Sequence, residues 1–262
     1  MGGTTQSSGF EGAYELRNFE QTTMNVQQSQ DETSVEIEQI QTVNGEPSKI
    51  DANVFLFIGL PGTGKTYAAE VAAETLDGTS HEFSDYVRYA YEAETGGETD
   101  DNSLGEWAAQ KKAEEGADHF ARGLCTSLSQ GGIPRSKNMC VAGVRSPEEA
   151  EAFRERFTNV TAVSIWTLPD IRYDRLEERE GDYSYTTFHE RKQRELWEWN
   201  CIKFFTDDDY YDYIIPNNFE KDLFENKVNS VCNFVADGFE YEPYTEDPFP
   251  DGLSSQHIAQ YL

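Results

Sequence analysis

Positive charge is what this chain lacks most. It has 21 Lys and Arg against 49 Asp and Glu, a net charge of −28 over 262 residues. A surface so anionic repels the phosphates of duplex nucleic acid and the headgroups of anionic lipid, so neither is expected as a partner. Long hydrophobic runs are missing too. No stretch reaches the roughly 18 apolar residues needed to cross a bilayer. Met1-Gly2-Gly3-Thr4-Thr5-Gln6 shows no basic region leading into an apolar core. A cytoplasmic chain without a membrane segment is the expectation. Cysteine is scarce: Cys125, Cys140, Cys201 and Cys232 stand far apart with no C-x-x-C pair. That spacing argues for reduced, buried thiols rather than zinc ligands. His81, His119, His189 and His257 show no metal-ligand spacing either. Because the acid runs through the segments with folding potential, it points to a halophilic chain rather than a largely disordered one.

Against this background one octapeptide stands out. Gly59-Leu60-Pro61-Gly62-Thr63-Gly64-Lys65-Thr66 fits the phosphate-binding pattern G-x-x-x-x-G-K-[ST]. The apolar run Val54-Phe55-Leu56-Phe57-Ile58 before it reads as a strand buried on both faces. The Ala-rich stretch from Tyr67 to Leu76 after it reads as a helix. Glycines let the backbone wrap a polyphosphate so that N–H groups converge at the helix N-terminus. Lys65 is then positioned for the β- and γ-phosphates and the Thr66 hydroxyl for Mg²⁺. Residues 59–66 with the following Tyr67 form the candidate ATP-binding set, and Thr66 is the candidate metal ligand.

Composition divides the rest. Residues 1–50, rich in Gln, Ser, Thr and Glu, read as a disordered acidic polar leader, with a short alternating strand possible over 34–40. The ordered domain is expected over 51–236, and 237–262 reads as an acidic aromatic tail. Within the domain, helices are expected over 84–129, interrupted by the Gly- and Asp-rich break at 96–102. Strands are expected at 138–142, 160–166 and 211–215. Ser146-Pro147-Glu148-Glu149 carries the signals of a helix start: a Ser cap, Pro at the first turn and acid beside it. A long charged helical segment is expected over 169–205 and a last helix over 219–236. Alternating strands and helices imply a parallel sheet covered on both faces.

Several segments, in order, resemble one family. After the phosphate loop come Ser84-Asp85-Tyr86-Val87-Arg88, Leu104-Gly105-Glu106-Trp107-Ala108 and Glu114-Glu115-Gly116-Ala117-Asp118. Val141-Ala142-Gly143-Val144-Arg145-Ser146, an Arg-rich helical stretch and Asp212-Tyr213-Ile214-Ile215-Pro216-Asn217-Asn218 follow. The set is similar to the archaeal dephospho-CoA-kinase-like P-loop proteins of the nucleoside-monophosphate-kinase group, over about residues 53–235. The resemblance implies a three-layer α/β/α P-loop kinase-like fold with a helical acceptor-binding insert and a lid. It also implies transfer of the ATP γ-phosphoryl group to a nucleotide-like acceptor, such as a nucleoside monophosphate or dephospho-CoA.

In so acidic a chain, the places where cations gather are informative. Arg172, Arg175 and Arg179 recur at helical spacing on one face. In the resemblance this segment is the lid, which makes Arg172 and Arg175 candidate catalytic residues beside Lys65. Surface pairing with Asp174, Glu177 and Glu178 is the plainer alternative. Asp85 and Arg88 fall in the implied acceptor segment, although they also suit a helix pair. Arg145 lies just past a strand end, where ligands gather in open α/β sheets. It is a candidate for the acceptor or the transition state, with pairing to Glu148 or Glu149 as the alternative. One position departs from the family pattern: Ala142 stands where a carboxylate that orders Mg²⁺ is expected. Asp85 is a possible substitute. Because of this gap two rivals remain open, a catalytically degenerate nucleotide-binding regulatory module and an NTPase acting on a partner protein.

Overall fold

The computed structural model describes residues 49–97, 101–129, 137–207 and 209–236, together with the pairs 42–43 and 46–47. The pairs form a small antiparallel ladder, β1 (Thr42–Val43) with β2 (Glu46–Pro47). The strand expected over 34–40 and the tail expected over 237–262 lie outside the described residues.

The central strand β3 (Ile50–Ile58) begins four residues before the apolar run that marks it in the sequence. Alternate side chains go to opposite faces. Val54, Leu56 and Ile58 pack into one core cluster, and Phe55 and Phe57 pack into another. Burial on both faces is why the run contains no polar residue. Each such side chain contributes about 1.5–3 kcal/mol when fully removed from water.

Four more strands join β3 in a parallel sheet: β4 (Thr79–Glu82), β5 (Asn138–Ala142), β6 (Phe157–Trp166) and β7 (Tyr213–Pro216), in the order β4-β5-β3-β6-β7. Helix α1 (Lys65–Thr75) covers one face through Ala68, Ala69 and Ala72. These small side chains let the helix lie close against Phe55, Phe57 and Ala142. Between β4 and β5 run α2 (Phe83–Thr95), α3 (Asp101–Glu115) and α4 (His119–Ser129). Helix α5 (Pro147–Arg156) follows β5, and with α4 it packs Phe120, Leu124, Ala150 and Phe153 on the opposite face. The α5 start forms as its sequence signals: the Ser146 hydroxyl accepts from the Glu149 N–H at 3.3 Å, with Pro147 in the first turn.

The segment over 169–205 is not one long helix. It divides into α6 (Pro169–Glu180), α7 (Tyr185–Gln193), a π-helical turn (Arg194–Glu198) and α8 (Lys203–Thr206). Gly181, at φ 81°, stops α6, and the Ser184 hydroxyl caps the start of α7. Asn200 takes φ 59° and turns the chain into α8. The last helix, α9 (Lys221–Ala236), returns to the α1 face through Phe224, Val228 and Cys232. The result is a three-layer α/β/α fold. The four cysteines are all buried and free, and no helix among the described residues is long and apolar enough to cross a membrane.

Candidate functional site

The loop after β3 leaves the sheet at a topological switch, since β3 has β5 on one side and β6 on the other. Crevices at such carboxyl strand ends are where open α/β sheets take ligands. Gly62 and Gly64 adopt φ 82° and 89°, values that favour glycine. The start of α1 has no side-chain cap and no acidic residue in its first turn. No acid of the helix itself therefore competes at that end; the carboxylate that reaches it comes from another strand, Glu82.

The outward carbonyls of the loop are tied down. Thr63 O accepts from Asn217 Nδ2 at 2.8 Å and from Thr167 Oγ1 at 3.3 Å. Leu60 O accepts from Thr63 Oγ1 at 2.9 Å, and Gly62 O accepts from an Arg175 nitrogen at 3.3 Å. Another Arg175 nitrogen donates to Asn217 O at 3.2 Å. With these carbonyls held, the loop is set before any ligand arrives, which lowers the ordering cost of binding. Arg175, expected as a lid cation, therefore serves the backbone of the loop in this structure. Leu60 buries its side chain in the core, which leaves only its main chain for a ligand. The Tyr67 hydroxyl donates to Glu225 on α9, and Lys221 stands over the Tyr67 ring at 4.5 Å.

The other cations sort themselves by partner. Arg172 is 1% exposed, and none of its three guanidinium nitrogens has a hydrogen-bond partner in the protein. It lies 5.2 Å from the Phe188 ring centre. Burial lowers its pKa to about 10, with Glu195 and then Tyr183 pulling the other way. Arg145 sets its guanidinium 4.7 Å from the centre of the Trp199 ring, and its buried Nε has no partner. The alternative for Arg145, pairing with Glu148 or Glu149, takes another form: Glu149 accepts from the Arg145 backbone N–H at 2.7 Å and pairs with Lys112. Lys65 has its ammonium held below the ordinary lysine range by burial. Glu195 opposes that shift, Arg145 reinforces it and Glu82 opposes it. Glu195, buried and carried on the π turn, is the carboxylate whose charge acts most on both Lys65 and Arg172, and Arg145 acts on Lys65 as well. Arg179 is exposed and pairs with its neighbour Glu180. Asp85 and Arg88 lie on α2, Asp85 exposed and Arg88 half-buried.

The sequence reading missed Glu82. Its Oε2 accepts from Thr66 Oγ1 at 2.8 Å. The carboxylate at the Thr66 hydroxyl is therefore that of Glu82, not Asp85. Ala142 is buried at 1% exposure among the α1 alanines, as an uncharged packing residue. Asn217 and Thr167 were missed as loop anchors. Each follows directly on a strand end, and Asn217 also falls in the Asp212–Asn218 segment that carries the family resemblance.

A glycine loop wrapped on a helix start, with a loop lysine at a switch point of a parallel sheet, defines a P-loop protein. The family comparisons narrow the class. A family model described as an AAA domain matches residues 56–198. A UPF0200 protein of Methanopyrus kandleri is 35% identical over 145 residues, covering 53% of this chain and 69% of that protein. A UPF0200 protein of Methanosarcina acetivorans is 28% identical over 184 residues, covering 69% of this chain and 94% of that one. The chain belongs to the AAA domain family and, among its archaeal relatives, to the UPF0200 proteins. Among solved structures, TT1252 from Thermus thermophilus superposes with a TM-score of 0.51 at 14% identity, over 73% of this chain and all of that one. That likeness is one of fold.

Proposed function

We propose that this chain binds ATP at residues 59–67 and transfers its γ-phosphoryl group to a small nucleotide-like acceptor. The observation that carries the reading is the gathering of Lys65, Arg145 and Arg172 at the loop, with four buried guanidinium nitrogens that no protein atom satisfies. Buried charge without partners is costly, and retaining it makes sense where an anionic ligand completes the site. The cradle fits a polyphosphate: the positive-φ glycines open the backbone, and the first turn of α1 carries no acidic residue of its own.

Bound ATP supplies the transferable phosphoryl group, and a divalent cation on its phosphates offsets their charge. The chain's own residues do the rest. Loop N–H groups and Lys65 hold the phosphates, and Thr66 offers a hydroxyl oxygen to the cation. Arg145, at the end of β5, faces the acceptor side, and Arg172 supplies charge from the lid as transfer proceeds. Asp85 and Arg88 on α2 orient the acceptor. The helices between β4 and β5 form the acceptor insert, and those over 169–198 form the lid. Nucleoside monophosphates and dephospho-CoA are the acceptors to try first, following the resemblance of the sequence.

Calorimetry with ATP tests the first half of this reading. The unaltered chain should bind, and Lys65→Ala should lose most of the affinity while melting at a similar temperature. Equal affinity in both would remove the basis of the proposal. ADP release tests the second half. Release stimulated by an acceptor supports the kinase. Release that ignores every acceptor would favour an NTPase working on a partner protein, and no release would leave a nucleotide-binding module.

A further inference from the structure

The geometry points to Glu82 as the residue that orders a divalent cation at Thr66, from the strand next to the one where a carboxylate is missing. The inference rests on the nucleotide-binding reading of the loop and deepens it. Three observations carry it.

The first is contact: Glu82 Oε2 and Thr66 Oγ1 are 2.8 Å apart, so a carboxylate and a hydroxyl already face one point at the start of α1. Both are hard oxygen donors, the kind a magnesium-sized cation prefers. The second is register. Glu82 is the cross-strand partner of Ala142 in the parallel β4–β5 pair. Register partners share a sheet face, and Ala142 faces α1. Glu82 therefore emerges on the α1 side, one strand further out than Ala142. Neighbouring strands lie about 4.8 Å apart, and the longer side chain of Glu spans part of that gap. The third is space. Gly143 takes φ 94°, and a Cβ there would come within 2.8 Å of Glu82 Oε1. The end of β5 is thus shaped to let the Glu82 carboxylate lie across it.

Other acids fit the task less well. Glu195 sits among Lys65 and Arg172, on the cationic side of the loop. Asp85 is exposed in the first turn of α2. A simpler role for Glu82 would be a fixed hydrogen bond that steadies Thr66, so the test reads metal rather than stability or turnover.

ATP affinity is measured by calorimetry in excess EDTA and in excess Mg²⁺, for the unaltered chain, Glu82→Gln and Glu82→Gln with Ala142→Asp. Binding of Mn²⁺ in the presence of ADP is followed by electron paramagnetic resonance. The unaltered chain should bind ATP more tightly with Mg²⁺. Glu82→Gln should match it in EDTA yet lose the Mg²⁺ gain and bind Mn²⁺ about 10- to 100-fold more weakly, the usual cost of losing a residue that orders a metal site. The double variant should recover both, because it restores an acid on the same face. A Glu82→Gln chain that keeps the full Mg²⁺ gain and Mn²⁺ affinity overturns the inference. Should Glu82→Gln melt early, Glu82→Asp keeps the charge on a shorter stem and should bind Mn²⁺ more tightly than Glu82→Gln; equal Mn²⁺ affinity in the two would likewise overturn it. Absence of ATP binding by the unaltered chain in both buffers is a different failure: it removes the nucleotide reading and this inference with it.

Discussion

Gly62 lies directly against the main chain of Arg172. A Cβ on Gly62 would come within 2.7 Å of the Arg172 carbonyl oxygen and 3.1 Å of its Cα. The neighbour is backbone and cannot swing away, and the φ of 82° is itself unfavourable for other residues. The loop and α6 are therefore fitted to each other through the absence of one side chain. Gly62→Ala should strain the loop by about 1–3 kcal/mol. The expected result is a lower melting temperature and ATP affinity reduced tenfold or more. Wild-type affinity in the variant would mean that α6 yields freely and that the close approach has no part in shaping the cradle.

Glu195 is a buried carboxylate, 6% exposed, whose charge acts on Lys65 and Arg172, the same cations that a phosphate would engage in the proposed site. Without nucleotide it balances part of the buried positive charge; with nucleotide it competes. Glu195→Gln should therefore melt earlier than the unaltered chain in the absence of ligand, because it removes a buried counter-charge that acts on Lys65 and Arg172. The same variant should gain more melting temperature on adding ATP. If nucleotide stabilises both chains equally, Glu195 does not share the site. Arg172→Met is the complement: removing a buried guanidinium without hydrogen bonds should raise the ligand-free melting temperature and weaken the response to ATP.

The parts of the molecule that can be read from sequence are those whose cause is local. The apolar run of β3 must be buried, the glycines at 59, 62 and 64 must turn, and Ser146-Pro147 must start a helix. What escapes reading depends on distant partners. Strand β4 is four residues, Thr79-Ser80-His81-Glu82, with no apolar periodicity. It becomes a strand because β5 offers it a ladder. Glu82 gains its position from that register and from the space above Gly143. Neither is visible along the chain, where Asp85 reads as the substitute acid. The breaks at Gly181 and Asn200 do carry local signals, but the dense charge of 169–205 masks them as one helix. The π turn that brings Glu195 inward has no sequence pattern at all. It is defined by how Leu196 packs into the core.

His81 makes acid stability a property of the edge strand. Its ring nitrogen Nε2 lies 2.9 Å from Thr79 Oγ1, and burial lowers its pKa from 6.5 to about 4. The unfolded chain takes up a proton near the ordinary histidine value, whereas the folded chain does so only near 4. Protonation thus favours unfolding, and stability should fall as pH drops from about 6.5 towards 4. Carboxylates titrate at the lower end of this window too, so the comparison must be made against His81→Gln, which has nothing to protonate there. The difference in melting temperature between the two chains should change between pH 7 and pH 4.5, to the disadvantage of the unaltered chain. A constant difference across that range would show that the ring is solvated and titrates freely.

The net charge of −28 makes salt a test of what holds the surface together. Repulsion among so many carboxylates acts over about 10 Å at 0.1 M ionic strength and about 3 Å at 1 M. The melting temperature should therefore rise from dilute buffer to molar KCl. Salt also affects proteins in other ways, so one named pair separates charge screening from the rest. Glu70 and Glu74 are both exposed on α1 and stand one turn apart. Like charges at that spacing destabilise a helix by about 0.2–0.5 kcal/mol. Glu74 adds to the cost because it sits in the last turn, where the helix dipole disfavours an anion. Glu74→Gln should raise the melting temperature by about 1–2 °C in dilute buffer, at the usual few degrees per kcal/mol for a domain of this size. In 1 M KCl that gain should vanish, because the salt has already screened the repulsion the substitution removes. A gain of the same size at both salt concentrations would assign the effect to helix propensity or packing. A melting temperature that stays flat or falls with KCl would mean that the acidic surface carries no adaptation to high salt.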